Sequence, residues 1–278
     1  MRKKKHIPLQ IFTYLFLLVM IVIAVFPAVW MLSTAIKQTT ELYDMPPEII
    51  PNVPTLKNFV SVLGTSKMTS AFANSTIITI SVVLLTLILS VLAGYGLSRF
   101  RFKGSKLVKI ILLFGQMVPG VVIIIPLYTV FSRLGLLDQH VSIIIADMAL
   151  TIPMGVIMLS SFFAGVPREL EEAAKIDGCT GMSALFRVVL PIAKPGLLSV
   201  AIYTFIHAWE EFLFALNLSI STNTRTLPIA INSFAGEFAV DWGATMAAAS
   251  VVALPVLVLF LLCNRYFVQG LSDGAVKG

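Results

Sequence analysis

Apolar residues along this chain fall into long blocks separated by short polar stretches, with little strict alternation. A membrane-spanning helix needs about 20 predominantly apolar residues. Six blocks meet that requirement, at roughly 9–33, 71–97, 110–131, 141–163, 196–217 and 244–264. Only helices and closed barrels satisfy every backbone polar group in lipid, and continuous runs of this kind suit helices rather than barrel strands. The pattern therefore predicts an all-α integral membrane protein, one transmembrane domain over 1–278 with six transmembrane helices and no appended soluble domain.

One segment, 165–195, departs from this pattern. Pro167 suits the first position of a helix, and Glu169, Glu171 and Glu172 complement the positive end of its dipole. Asp177 and Gly178 stop the helix, because glycine takes a left-handed turn without steric cost. A second short helix is expected over 181–189, stopped by Pro191, before the fifth span opens at Pro195 and Gly196. Ala173 and Ala174 give the first helix a thin face that another backbone can approach closely. The residues alone leave two readings open, a docking surface for a soluble partner and a solvated connector between spans.

Composition agrees with the blocks. Of 278 residues, 58% are hydrophobic and 12% charged, against about 25% charged in a soluble globular protein. The net charge of +6 does not point to nucleic acid, because the basic residues flank apolar blocks. One side receives Arg2, Lys3, Lys4, Lys5, Arg99, Arg101, Lys103, Lys106, Lys109, Arg168, Lys175, Arg187, Lys194, Arg265 and Lys277. The other receives only Lys37, Lys57, Lys67, Arg133 and Arg225. The positive-inside rule puts the first side, with both termini and segment 165–195, in the cytoplasm. The basic start resembles that of a signal peptide, but the uncharged block over 7–36 is too long for one and reads as a retained first span.

Catalytic and metal chemistry find little footing. Cys179 and Cys263 have no metal or redox spacing, and His6, His140 and His207 are scattered. No phosphate-cradling G-x-x-x-x-G-K-[ST] loop is present, so ATP-driven work must arrive from another chain.

Ionisable residues inside spans are costly and default to functional or partnered positions. Asp147 interrupts the fourth block, and His207, Glu210 and Glu211 interrupt the fifth. Three uses stay open for the latter group: lining a water-filled path, contacting another membrane subunit, or satisfying one another through a local His–Glu pair. Trp209 beside them would suit a sugar ring, which needs carboxylates and an aromatic platform. Asn74, Ser75, Gln116 and Asn217 are expected to hydrogen-bond between helices. Pro119, Pro126, Pro153 and Pro255 are expected to kink their spans.

The run Glu172, Ala173, Ala174, then Gly178, then Val188 to Leu190 and Pro191 resembles the EAA signature of ABC-importer permeases, with Val188 where that pattern usually has isoleucine. Further segments are similar to carbohydrate-importer permeases: 72–75, 94–100, 117–119, 125–128, 134–138, 209–214, 225–228, 241–243 and the tail 265–278. Together they resemble the second permease subunit of maltose-type systems, which often has asparagine where this chain has Glu210.

The resemblance implies a type I permease fold with a cytoplasmic coupling helix, and a transport subunit rather than an enzyme. It implies ATPase coupling through Glu172, Ala173, Ala174, Asp177, Gly178, Leu190 and Pro191, and a tail whose Ser272, Asp273, Gly274 and Lys277 reach between the ATPases. The implied partners are a second homologous permease, two ATP-hydrolysing subunits that bind ATP and Mg, an extracytoplasmic solute-binding protein and a carbohydrate. The implied location is the bacterial cytoplasmic (inner) membrane. The competing function is an ion-coupled secondary transporter driven through His207, Glu210 and Glu211; such proteins usually show inverted repeats or broken helices, and neither is visible in the sequence.

Overall fold

A computed structural model describes the backbone of residues 7–234 and 240–275, with the side chains of 10–234 and 240–263. The regular elements among these residues are helices. In chain order they begin with α1 (Ile7–Ala35), α2 (Lys57–Leu63), α3 (Ser66–Arg99), α4 (Ser105–Met117), α5 (Gly120–Arg133) and α6 (His140–Gly165). They continue with α7 (Arg168–Ile176), α8 (Gly181–Ala184), α9 (Leu190–Ile192), α10 (Lys194–Trp209), α11 (Leu213–Leu218), α12 (Leu227–Asn232) and α13 (Trp242–Ala275). Four of them, α1, α3, α6 and α13, are each long and apolar enough to cross a membrane. Two bent pairs raise the number of candidate spans to six. Backbone contacts divide the chain into two compact units, one over 1–66 and 231–254, the other over 67–230 and 255–278.

In the first unit, α1 is apolar on every side and its spanning window buries nothing within the molecule. Phe12, Leu15, Val19 and Ile23 are all exposed, so its covering comes from outside the chain. Its C-terminal end is held firmly. The Ser33 hydroxyl donates to the Ile49 carbonyl, and the Lys37 ammonium donates to the Glu48 carbonyl while sitting 5.1 Å over the Trp30 ring. Asn58 Nδ2 donates to the carbonyls of Ala35 at 2.9 Å and Lys37 at 3.0 Å. Asn58 thereby satisfies the Ala35 carbonyl, which the helix end leaves open, while Ser33 and Lys37 tie that end to the loop at Glu48 and Ile49.

The second unit is organised around α6, which packs against α4, α10 and α11. One apolar cluster joins Ile78, Val82, Ile143, Ala208 and Phe214; another joins Val91, Leu159, Phe163, Leu185 and Val200. Between them, the buried hydroxyls of Thr86 and Thr151 pair at 2.9 Å and tie α3 to α6. Gly94 allows the close approach of these helices. A Cβ there would lie 3.1 Å from both Leu159 Cβ and the Ser160 amide nitrogen.

Three sequence expectations change. The third block bends at Pro119, where a kink was expected, but far enough to part into two helices: α4 and α5 meet at 97°. Val118 and Pro119 are extended between them, because proline lacks an N–H and pushes the residue before it out of the helical region. Gln116 Nε2 donates to the Leu150 carbonyl at 2.7 Å, tying this break to α6. The fifth block is also interrupted, since α10 ends at Trp209 and α11 starts at Leu213. Broken helices are therefore part of this fold.

Pro191, expected to stop the second short helix, lies inside it. Residues Leu185–Val189 widen into a π turn in which the Leu190 N–H reaches the Leu185 carbonyl. The break falls instead at Ala193, where the chain bends by 79° into α10. Pro126, Pro153 and Pro255 lie inside α5, α6 and α13.

At the other end, α13 runs on through Ser272, Asp273 and Gly274 to Ala275, so the glycine-containing tail continues the last span. The side chains of 264–275, and Lys277 altogether, lie outside the described residues.

Candidate functional site

The helix α7 is built as its sequence dictates. Pro167 occupies the position before it, one residue earlier than expected, with an extended ψ of 133°. At its end the Cys179 N–H donates to the Ala174 carbonyl at 2.9 Å and the Gly178 N–H to the Lys175 carbonyl at 3.0 Å. With Gly178 at φ 89°, this is a Schellman turn.

The two faces of α7 differ sharply. Glu171 and Ala174 are buried, while Glu172, Ala173, Lys175, Ile176, Asp177 and Gly178 are exposed, Ile176 at 87%. The thin outer face is thus built by Ala173; Ala174 turns inward. Leu190 is half-buried and Pro191 exposed.

Glu171 is the residue that sequence reasoning passed over. Its Oε1 lies 2.5 Å from Arg99 Nε, and its Oε2 accepts from the Tyr95 hydroxyl at 2.8 Å. Arg99 also donates to the Val166 carbonyl at 3.0 Å. Arg168 reaches back to the carbonyls of Ser98 at 3.4 Å and Arg99 at 3.3 Å. Among the described residues Arg99–Glu171 is the only ion pair, and it fastens α7 to the end of α3. The sequence carried no signal for this pairing, because cations commonly end apolar spans without an acid partner.

The polar group of the fifth block is dispersed. Glu210 is exposed at the end of α10. Glu211 caps α11, accepting from the amides of Phe214 at 2.6 Å and Ala215 at 2.9 Å. His207 Nδ1 has no partner, so the His–Glu pair, one of the three uses left open, is not formed, and its ring lies 6.1 Å from that of Tyr203. Trp209 is buried, stacked on Phe205 at 5.5 Å and edge-on to Phe72 at 5.7 Å. In this conformation it offers no open ring face. Asp147 is fully buried with both carboxylate oxygens unpartnered.

The remaining polar residues act mostly between elements. Asn74 Nδ2 donates to the carbonyls of Asn223 at 2.7 Å and Arg225 at 3.0 Å, and Ser75 Oγ accepts from the Leu227 amide at 2.9 Å. Asn217 instead bonds within its own helix, to the Leu213 carbonyl. Asp138, between α5 and α6, organises the same loop at φ 61°. It accepts from the Thr224 hydroxyl at 2.5 Å and the amides of Ile220 and Ser221 at 2.9 Å. The Thr224 hydroxyl, with the Ser221 amide beside it, holds the Asp138 carboxyl well below the usual carboxylate range. No cluster of three metal-ligating side chains occurs among the described residues.

Residues 86–273 match the family described as binding-protein-dependent transport system inner membrane component. The chain is 36% identical to the sulfoquinovosyl glycerol transport system permease protein SmoH of Agrobacterium fabrum, covering 94% of this chain and 91% of the relative. It is 36% identical to the diacetylchitobiose uptake system permease protein DasC of Streptomyces coelicolor, over 91% and 92% of the two chains. Its fold is similar to a crystal structure of a bacterial ABC transporter involved in the import of the acidic polysaccharide alginate. That match has a TM-score of 0.83 at 21% identity and covers 96% of this chain and 99% of the other.

Proposed function

This chain belongs to the family of binding-protein-dependent transport system inner membrane components, and from that premise we propose that it forms half of a carbohydrate-import path whose driving force enters through α7. Family membership makes it a non-catalytic, multi-pass permease subunit of an ABC importer in the inner membrane, working with a separate ATPase, a second permease and a solute-binding protein. Its kinship spans several carbohydrate-uptake permeases, so it is not specifically maltose-type.

The cargo is a carbohydrate, which the systems named for SmoH and DasC support. The observation that carries the coupling reading is the buried Arg99–Glu171 pair, because a helix pinned to α3 cannot shift without moving that span. Glu172, Ala173 and Ile176, on the outward face, meet the cleft of the ATPase, while Asp177 and Gly178 end the helix cleanly. Ala174 lies on its buried face, and Leu190 and Pro191 complete the coupling segment just beyond the π turn that packs against α7. The distribution of Lys and Arg supports a cytoplasmic α7.

The tail with Ser272, Asp273, Gly274 and Lys277 reaches the ATPases. At the helical rise, the 34 residues of α13 extend about 50 Å, well beyond a bilayer core of about 30 Å. On the path itself, Glu210 is the strongest candidate, being exposed where α10 breaks from α11. His207 lies one turn below it, and Trp209 and Glu211 support the break by packing and capping.

The test is Glu172→Lys in the complete complex, with both permeases, both ATPases and the binding protein reconstituted in vesicles. ATP hydrolysis is expected to continue while sugar uptake is lost. Uptake at the parent rate would refute docking through this face.

A further inference from the structure

A cavity of about 380 Å³ lies on the inner side of α7, between the end of α3 and the turn of helix that starts at Gly181. Its lining is divided. Leu92, Phe100, Met182 and Leu185 form an apolar flank, and Arg168 and Lys175 stand with Arg99 on the polar one. Arg99 is committed to Glu171. Arg168 uses only Nη2, in two long bonds to carbonyls, which leaves the rest of its guanidinium donors, and neither it nor Lys175 forms an ion pair among the described residues.

The cavity also sits at a particular depth. It opens where the 34-residue apolar helix α3 ends in Arg99. Phe100 and Met182 in its wall are exposed at 65% and 55%, and Phe186, one residue beyond the lining Leu185, at 59%. The segment carrying Met182 and Phe186 bends 79° away from α10, so it runs across that span rather than along it. Exposed apolar side chains next to free cations at the end of a spanning helix describe a membrane–water interface.

We propose that this cavity binds an anionic phospholipid, with the headgroup phosphate between Arg168 and Lys175 and an acyl chain along Leu92, Phe100 and Met182. Basic pockets at the cytoplasmic ends of spans are suited to such headgroups. Assignment to the inner leaflet rests on the orientation given under the proposed function; the lipid contact itself does not. Because the walls come from α3, α7 and α8, a bound lipid braces the joint through which force passes. Glu172 stands at the rim and opposes the phosphate. Once it pairs with a cation of the docked ATPase that opposition falls, so lipid binding and docking favour one another.

Native mass spectrometry of the detergent-extracted complex, supplied with phosphatidylglycerol or phosphatidylcholine, tests this directly. The parent is expected to retain phosphatidylglycerol in preference to phosphatidylcholine. Arg168→Gln with Lys175→Gln is expected to weaken that retention about 30-fold, from two lost surface charges. Lys106→Gln with Lys109→Gln removes the same charge from the exposed first turns of α4 and is expected to leave retention unchanged. Equal loss in both pairs, or full retention without Arg168 and Lys175, overturns the site. Displacement of the lipid by millimolar inorganic phosphate alone overturns the lipid assignment in favour of a free anion. Retention is read without any transport step, so a negative result leaves the importer reading untouched.

Discussion

The Glu171 carboxylate meets the Arg99 guanidinium 2.5 Å away, with both side chains more than nine-tenths hidden from solvent. Removing one member strands the other as an uncompensated buried charge. Glu171→Ala or Arg99→Ala is therefore expected to cost about 3–5 kcal/mol, read as lowered thermal stability in detergent. The double change Arg99→Met with Glu171→Leu is expected to recover most of that loss, because an apolar pair carries no desolvation cost.

Gly178 holds φ 89° at the end of α7 with open space around it. Gly178→Ala is expected to cost about 1–2 kcal/mol, purely from the left-handed backbone. Thermal unfolding of the variant measures it, and an unchanged midpoint would mean that the turn relaxes freely.

Two glycines on α3 should respond in opposite directions. A Cβ at Gly94 presses on the backbone of α6, whereas one at Gly96 meets nothing within 4 Å. Gly94→Ala is expected to destabilise by about 1–3 kcal/mol through overpacking. Gly96→Ala is expected to stabilise by up to about 1 kcal/mol through helix propensity. Paired melting curves decide the signs.

Asp138 predicts an acid-sensitive loop. Its carboxyl titrates lower when folded than when unfolded, because the Thr224 hydroxyl and the Ser221 and Ile220 amides favour its charged form. The stabilisation is complete above the unfolded value of about 3.9 and is lost as pH falls below that toward the folded value. Melting temperature against pH should therefore fall less steeply on the acid side for Asp138→Asn than for the parent.

The sequence made the unbroken spans plain, because lipid demands long apolar runs and α1, α3, α6 and α13 supply them. It hid the breaks. Apolarity continues across Val118 and Pro119, since both halves of that pair read as apolar, and a count of apolar residues carries no direction. At Glu210 and Glu211 the polar residues were visible, but not that Glu211 starts a new helix through its own carboxylate. In α7 the helix and its stop were legible from local chemistry. Which glutamate turns inward was not, because neighbours on a helix point about 100° apart and the choice depends on Arg99, 72 residues earlier. Asp138 was obscure for the same reason, its amide partners lying 82 and 83 residues further on.

The uncovered circumference of α1 sets how freely that stretch can vary. With no side chain of its spanning window interlocked with the rest of the chain, exchanging leucine for valine or phenylalanine there leaves no void and forces no clash within this polypeptide. Saturation mutagenesis over residues 10–29 should accordingly return a plateau of interchangeable oily residues edged by sharp intolerance of charge. At Lys37 and Asn58, where the same helix is stitched down, the identity of each residue should matter again.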